Sequence, residues 1–232
     1  MPYPNEPYWS AMRHGLRIEV NGDPYVLEVV DCGTLQAPHG QLVACDPFVT
    51  LEPENNLFIP IPPGTYPVYV TVADVSGVGD GSHLREAYAT LVLRDAEEVT
   101  RRIVTPLPDD EITEPEMDGD EYCGFPVDSG TACFVDGGSL PGAMPALDTW
   151  SEIFDNGTPE SWFSRMDDPG HIRAGLANIV LPRARHGENI ILVHSGWGDG
   201  FFPVVGGYDA QGNLVRVHID FMVVFPDPEA EE

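Results

Sequence analysis

The chain has 232 residues, of which 42% are hydrophobic and 21% are charged, a composition typical of a globular protein that buries a core of its own. Thirty-eight acidic residues face 11 basic ones, all of them arginine, and the formal net charge is -27. A field of that sign repels phosphate backbones and anionic lipids, so it argues against nucleic acid and membrane surfaces as partners.

The first ten residues lack the basic and apolar regions of a signal peptide, and no apolar run approaches the roughly 20 residues of a membrane span. We therefore expect a cytoplasmic protein with reduced cysteines. Cys32, Cys45 and Cys133 stand among apolar residues and are predicted to fill the core. No Cys-x-x-Cys spacing is present, which argues against a zinc knuckle or a thioredoxin-like motif.

The first half of the chain is predicted to form β-strands. Asn21-Gly22 between two apolar runs predicts a tight hairpin, and residues 66–72 alternate between apolar and other side chains, as a strand does. Asp46-Pro47 ends a strand, and the Gly-rich connection 77–82 predicts a second pairing. The predicted strands are 16–20, 25–30, 41–49, 58–75 and 86–94.

Residues 105–121 are acidic and contain prolines but few large apolar residues, so they are predicted to form an exposed loop. The acidic end, 226–232, is predicted to be a frayed tail. Neither segment interrupts what we expect to be a single domain over residues 1–232.

Helical spacing is confined to residues 139–168. Apolar residues recur at helical intervals up to Phe154, and Asp155-Asn156-Gly157 supplies a stop. Thr158 followed by Pro159 predicts the start of a second helix, with Thr158 as its N-cap. Trp150 and Trp162 are predicted to lie in the core.

The final third returns to strands near 190–194, 201–208 and 214–225, with a hairpin turn at 209–213. The pattern as a whole predicts a mainly β protein of the β-rich α+β class. We expect a sandwich-like or curved antiparallel sheet with one or two helices inserted near 139–168.

Four motifs resemble a bacterial family catalogued as domain of unknown function 4241. They are GTLQAPHGQLVACDPF (33–48), PPGTYPVYVTVA (62–73), GFPVDSGTACFVD (124–136) and SGWGDGFFPVVGGYDAQG (195–212), the last leading into IDF (219–221). The resemblance runs from about Leu27 to Val224. It implies no activity, because none is established for the family.

Each of these regions except 62–73 places a carboxylate at a strand end or turn: Asp46, Asp128, Asp136 and Asp199. Strand ends share a rim, so the four side chains could converge there and hold a divalent cation such as calcium or magnesium. The alternative is that each aspartate caps its own turn by accepting backbone hydrogen bonds.

The loop 195–200 is the best candidate for a binding site. Its glycines, Gly196, Gly198 and Gly200, leave backbone amides accessible, and Ser195, Trp197 and Asp199 complete the loop. Trp197 is placed to stack on a ligand. The alternative is a tight connection between strands with Trp197 folded onto the core.

Two functions follow from these patterns. The first is a non-enzymatic domain that binds a small ligand or a basic protein partner, of which an immunity protein against a basic toxin is one instance. The second is a divalent-metal-dependent hydrolase built on the four aspartates. The scattered histidines and the lack of a glycine before His194-Ser195 argue against a zinc enzyme and a serine nucleophile elbow.

Overall fold

The computed structural model of the protein describes residues 5–54, 56–105 and 123–225. This part of the chain forms two antiparallel sheets and a short helical segment. The predicted β-rich class, with a curved antiparallel sheet and inserted helices, is confirmed. The acidic segment predicted to be a loop lies outside the described residues from residue 106 onward, and so does the predicted tail at 226–232.

The strands and helices have the following bounds. The strands are β1 (Arg17–Val20), β2 (Asp23–Ala37), β3 (Gln41–Cys45), β4 (Ile59–Pro60), β5 (Gly64–Asp74), β6 (Leu84–Val92), β7 (Thr100–Ile103), β8 (Gly124–Val127), β9 (Thr131–Asp136), β10 (Leu176–Val180), β11 (Asn189–His194), β12 (Gly200–Tyr208) and β13 (Leu214–Asp220). The α-helices are α1 (Leu140–Ala143), α2 (Trp150–Phe154) and α3 (Trp162–Asp167). None of the described helices combines the length and the apolar character needed to cross a bilayer.

The larger sheet, sheet A, has the strand order β1-β2-β5-β6-β13-β12-β7, and β8 also pairs with β12. Its hairpins follow the turn signals of the sequence. Asn21 and Gly22 both have positive φ, 52° and 85°, as a two-residue hairpin loop requires, and Val20 pairs with Asp23. The predicted pairing of β5 with β6 is also confirmed.

The smaller sheet, sheet B, has the order β10-β11-β9-β3-β4 and is covered on both faces. Alternate residues of its strands, such as Phe134 and Ile191, pack against sheet A. The intervening residues, such as Val135 and Leu192, pack against the helical segment. Side chains alternate across a strand, so two-sided burial explains why β9 and β11 read as continuous apolar runs.

The helical segment supplies the outer layer over sheet B. Trp150 and Trp162 are buried in that second core, as predicted. The predicted start of the second helix was wrong. Ser161, rather than Thr158, is the N-cap of α3, and its hydroxyl accepts a hydrogen bond from the Ser164 N–H. The Thr158 hydroxyl instead donates a hydrogen bond to the Asn156 side chain. The helix therefore begins only at Trp162.

Two buried or half-buried asparagines of sheet B hold the irregular part of β2. The register of β2 shifts between Asp31 and Thr34, which leaves backbone groups without sheet partners. The Asn178 amide donates to the Cys32 carbonyl, 2.8 Å away, and the Asn189 amide donates to the Thr34 carbonyl, also 2.8 Å away. The two sheets are therefore joined by hydrogen bonds as well as by apolar packing.

Candidate functional site

Several strand ends meet at one end of the two sheets, as the predicted rim requires. β6, β9 and β10 begin there, and β3 and β11 end there. These ends surround a cleft of about 640 Å³, which we call the Trp197 cleft. Its lining includes Arg85, Glu86, Ser129, Arg173, His194 and Trp197.

The predicted loop 195–200 forms one wall of this cleft through Gly196, Trp197 and Gly198. Ser195 is fully buried, and its hydroxyl donates to the Gly198 carbonyl at 2.6 Å. Its N–H donates to the Gly130 carbonyl at 3.0 Å. Ser195 therefore fixes the shape of the loop, and its hydroxyl is occupied within the loop itself.

Gly196 is required by its surroundings. Its φ is +66°, and a Cβ at this position would lie 2.6 Å from Val223 Cγ2 and 3.0 Å from the Glu86 carbonyl oxygen. The loop consequently packs closely against β6 beside Glu86. The loop predicted from the sequence therefore lies next to Glu86, a residue that the sequence patterns did not indicate.

Trp197 retains 55% exposure, so its ring does not fold onto the core. The guanidinium carbon of Arg85 lies 5.1 Å from the ring centroid, which is within the range of a cation–π contact. His83 makes an edge contact from a centroid distance of 5.9 Å. The tryptophan is held in place by basic side chains and presents apolar ring surface to the cleft.

Glu86 points inward because of a β-bulge. The register pairs Thr71 with Tyr88 and Val72 with Glu86, which leaves Ala87 as an extra residue on β6. Residues directly opposite each other share a face of the sheet, so Glu86 lies on the face of Val72, which packs between the sheets. Bulges commonly redirect a side chain next to a functional site.

The Glu86 carboxyl is buried without a side-chain hydrogen-bond partner among the residues that the structure describes. Glu86 is 6% exposed, and this burial raises its pKa to about 7. Its own N–H and the positive charges of Arg173 and Arg85 act in the opposite direction without cancelling the effect. An unpaired buried carboxyl with a pKa near neutrality is typical of functional sites.

His194 lies beside Glu86, on the other side of Gly175. A Cβ on Gly175 would come within 2.8 Å of Glu86 Oε1 and 2.9 Å of His194 Nδ1, so only glycine fits between the two groups. His194 keeps an exposed surface, but desolvation by the surrounding residues lowers its pKa; the Asp167 carboxylate opposes this and Arg85 adds to it. At neutral pH the imidazole is therefore mainly uncharged.

Two arginines supply positive charge to the cleft. Arg85 donates through Nη1 to the Leu84 carbonyl at 2.9 Å, while its buried Nε has no hydrogen-bond partner in the described part of the chain. Arg173 pairs with the exposed Glu28 at 3.2 Å. A buried donor without a partner costs free energy, so the described residues do not fully satisfy the Arg85 guanidinium.

Asp46 lies behind this cleft and holds its turn. The carboxylate is fully buried. Its Oδ2 accepts from the Asp128 and Ser129 N–H groups at 2.9 Å each, and its Oδ1 accepts from the Ser129 hydroxyl at 2.7 Å and the Phe48 N–H at 2.9 Å. Asp46 thus caps its own turn through Phe48, as the alternative weighed from the sequence has it, and it also ties the distant Asp128–Ser129 turn to the end of β3.

The four predicted metal ligands do not form one cluster. Asp128 and Asp199 are exposed at the Trp197 end, because β8 and β12 pair Val127 with Gly200. Asp136 lies at the opposite end, since it pairs with Leu42 while Asp46 follows Cys45, a separation of about 13 Å along the strand. Among the described residues, no group of three or more His, Cys, Asp or Glu could hold a metal ion.

Asp136 has its own hydrogen-bonding partners. It is fully buried and accepts from the Gln41 N–H at 3.0 Å and the Ser139 hydroxyl at 2.7 Å. Its Oδ2 also lies 2.8 Å from His39 Nδ1. A cavity of about 560 Å³ beside Gln41 is found near this end, but its lining includes none of the buried unpartnered polar atoms of the described residues.

A second buried acid, Glu98, belongs to a charged cluster away from the cleft. Its carboxylate contacts Arg101 Nε, His218 Nε2 at 2.9 Å and Arg216 Nη1 at 3.4 Å. Burial alone would raise its pKa, but the hydrogen bond from His218 and the surrounding positive charges outweigh burial and lower the pKa to about 2. His218 Nδ1 is 2.8 Å from the Thr90 hydroxyl, which completes the cluster.

Sequence reasoning found the loop of the cleft and missed its titratable lining residues, Arg85, Glu86, Arg173 and His194. One available signal for Glu86 is an acidic residue at the start of an alternating apolar strand, EAYATLVL. The bulge that turns Glu86 inward leaves no mark in the sequence, because alanine is an ordinary residue for a strand interior of this kind.

The comparison with protein-family models gives one match, described as "Protein of unknown function (DUF4241)", over residues 35–219. The chain belongs to this family. The DUF4241 match contains every element that lines the Trp197 cleft, from β6 to the loop 195–200. No curated protein and no solved structure shows a significant match, so the function is argued from the cleft itself.

Proposed function

We propose that this member of the DUF4241 family is a non-enzymatic binding domain whose Trp197 cleft holds a small organic ligand. The ligand combines a ring, which stacks on Trp197, with an anionic group, which Arg85 and Arg173 attract. The observation that carries the proposal is an exposed Trp197 ring with the Arg85 guanidinium beside it, in a cleft that Arg173 also lines.

The chemistry of the lining supports this ligand class. An exposed tryptophan binds aromatic rings and the apolar faces of sugars with little loss of conformational entropy. A guanidinium group donates to planar carboxylates in a fixed geometry. In a chain of net charge -27 with only 11 basic residues, two arginines in one cleft make it a local site for anions.

Saturation-transfer NMR and thermal melting test the proposal with two ring carboxylates, D-glucuronate and benzoate, as probes. A ligand at a hundredfold its Kd adds about 2.7 kcal/mol to the free energy of unfolding, which raises the Tm of a chain of this size by roughly 5–10 °C. We expect at least one probe to bind, and Arg85→Gln and Trp197→Ala to abolish that binding.

Matched controls separate the cleft from general effects of charge and exposure. Arg102→Gln removes an exposed arginine that stacks on Tyr208, and Phe163→Ala removes an exposed aromatic side chain on the helical layer. Both variants should bind the probes as the wild type does. If neither probe binds the wild type, or if all four variants bind alike, the cleft is not the ligand site.

Two other functions remain predictions on separate grounds. A basic protein partner is supported by the net charge alone. A location in the cytoplasm is supported by the reduced thiols of the buried Cys32, Cys45 and Cys133. A divalent-cation hydrolase would need aspartates that come together. Melting curves with added Mg²⁺, Mn²⁺ or Ca²⁺ test it, and an unchanged Tm would count against the metal.

A further inference from the structure

The position of Glu86 inside an anion-attracting cleft raises a problem of charge. Its Oε1 lies at the Gly175 gap beside His194, within the same lining as Arg85 and Arg173. An ionised Glu86 would repel the anionic group that the arginines attract. The residue is 6% exposed, and its carboxyl lies within the lining of the cleft.

We propose that the Trp197 cleft takes up a proton together with its ligand: Glu86 enters the complex as a neutral carboxylic acid and donates a hydrogen bond to the carboxylate that Arg85 and Arg173 attract. This inference rests on the proposed function. A protonated carboxyl gains one donor, so the residue that opposes the anion in its charged form becomes a recognition group in its neutral form.

The titratable groups nearest Glu86 are positively charged or neutral, and burial outweighs the opposing effect of the two arginines on its pKa. Arg85 from β6 and Arg173 from the turn before β10 carry positive charge, but neither forms an ion pair with Glu86 among the described residues. His194 at the end of β11 is mainly neutral because desolvation by its neighbours lowers its pKa. On β2, burial raises the pKa of Cys32 to about 12, so that thiol stays uncharged.

The protonated form is accessible before any ligand arrives, because burial raises the pKa of Glu86 to about 7. Proton uptake on binding is therefore largest above neutrality, where the free protein has released the proton. His194 titrates below its ordinary range, so measurements between pH 7.5 and 8.5 isolate Glu86 from it.

Isothermal titration of the wild-type protein with D-glucuronate and with benzoate tests the proposal. We expect the Kd to rise by close to tenfold between pH 7.5 and 8.5. At pH 8, titrations in two buffers of different ionisation enthalpy should report nearly one proton taken up per ligand. D-glucose and benzamide, which keep the rings but lack the carboxylate, should bind weakly and without proton uptake.

Glu86→Gln is the matched variant, because the amide keeps the shape and a donor but does not titrate. We expect it to bind both probes with a Kd that changes less than threefold over the same pH range, and with no proton uptake. Circular dichroism checks that it folds. The two-buffer measurement on the wild type does not depend on the variant.

The outcomes distinguish this inference from the proposed function. Binding that is independent of pH, or a pH dependence that persists in Glu86→Gln, overturns proton uptake by Glu86 and leaves ligand binding standing. Preference for D-glucose or benzamide over the carboxylates overturns the anionic ligand class. Absence of binding by either carboxylate at pH 5.5, where Glu86 is neutral in the free protein, overturns both proposals.

Discussion

Glu86 and Glu98 are both largely removed from solvent: the residue Glu86 is 6% exposed, and the side chain of Glu98 is 6% exposed. Glu98 is surrounded by Arg101, Arg216 and His218, and its pKa is lowered to about 2. Glu86 has arginines nearby without an ion pair, and its pKa is raised to about 7. Direct contacts, rather than depth, thus decide whether a buried acid is charged. Glu98 stabilises the fold through its ion pairs, whereas Glu86 is available to exchange a proton or to contact a ligand.

Removal of Glu98 should have the largest effect. Glu98→Ala leaves Arg101, Arg216 and His218 without their common partner, and breaking a buried ionic network in this way costs about 3–5 kcal/mol. Urea denaturation at pH 7 measures the loss. Glu97→Ala is the control, since the exposed neighbour should change the free energy of unfolding by less than about 0.5 kcal/mol. Equal effects of the two variants would contradict the comparison.

The pH dependence of stability should have opposite signs at the two acids. Between pH 4.5 and 7 the folded protein keeps a proton on Glu86 that the unfolded chain has released, so this residue makes stability fall as pH rises. The predicted shift from 4.5 to about 7 corresponds to about 3 kcal/mol. Glu86→Gln should remove that loss, and denaturation at pH 4.5 and 7.5 measures it. Glu98 acts in the other direction, since its contribution is lost as pH falls toward 2.

Asp46 is a third buried acid, and most of its hydrogen-bond donors are backbone N–H groups. Asp46→Asn keeps the volume but loses charge-assisted hydrogen bonds to the Asp128 and Ser129 N–H groups, which should cost about 2–3 kcal/mol. Asp128→Asn, at an exposed side chain, should cost less than about 0.5 kcal/mol. A cation-dependent melt in the wild type that both variants lose would instead favour the metal site.

The smallest effect is expected in the loop beside Glu86. Gly196→Ala places a methyl group 2.6 Å from Val223 Cγ2 at a positive φ, and strain plus displacement should cost about 1–3 kcal/mol. Gly157→Ala has a similar φ, +71°, and nothing within 4 Å of its Cβ, so it should be the milder of the two. Thermal melting ranks them, and the reverse order would mean that the loop does not pack on β6 as described.

Much of the fold was predictable because its signals are local. Alternation identified β5 and β6, and Asn21-Gly22 identified the first hairpin. The sequence did not reveal that β2 continues past Asp31 through an irregular register, because the partners that stabilise it, Asn178 and Asn189, are distant in the chain. Long-range hydrogen bonds of this kind have no periodicity to detect.

The site was predicted in part. The loop 195–200 does lie at a rim where strand ends meet, since glycines between strands mark such turns. The convergence of four aspartates was expected from their positions at strand ends, but an antiparallel sheet has two rims. Asp136 and Asp46 lie on different ones because β3 and β9 run in opposite directions. The antiparallel pairing of β3 with β9, two strands far apart in the chain, separates them, and the sequence does not specify that pairing.

Sheet B is the middle layer of this protein, with one core on each face. Loss of the helical layer would expose the back of the same strands whose front supports sheet A, so neither core can melt while the other persists intact. We therefore expect cooperative unfolding, with a single calorimetric transition whose van't Hoff and measured enthalpies agree. Tryptophan emission from the helical layer and far-ultraviolet signals from the sheets should change at the same temperature.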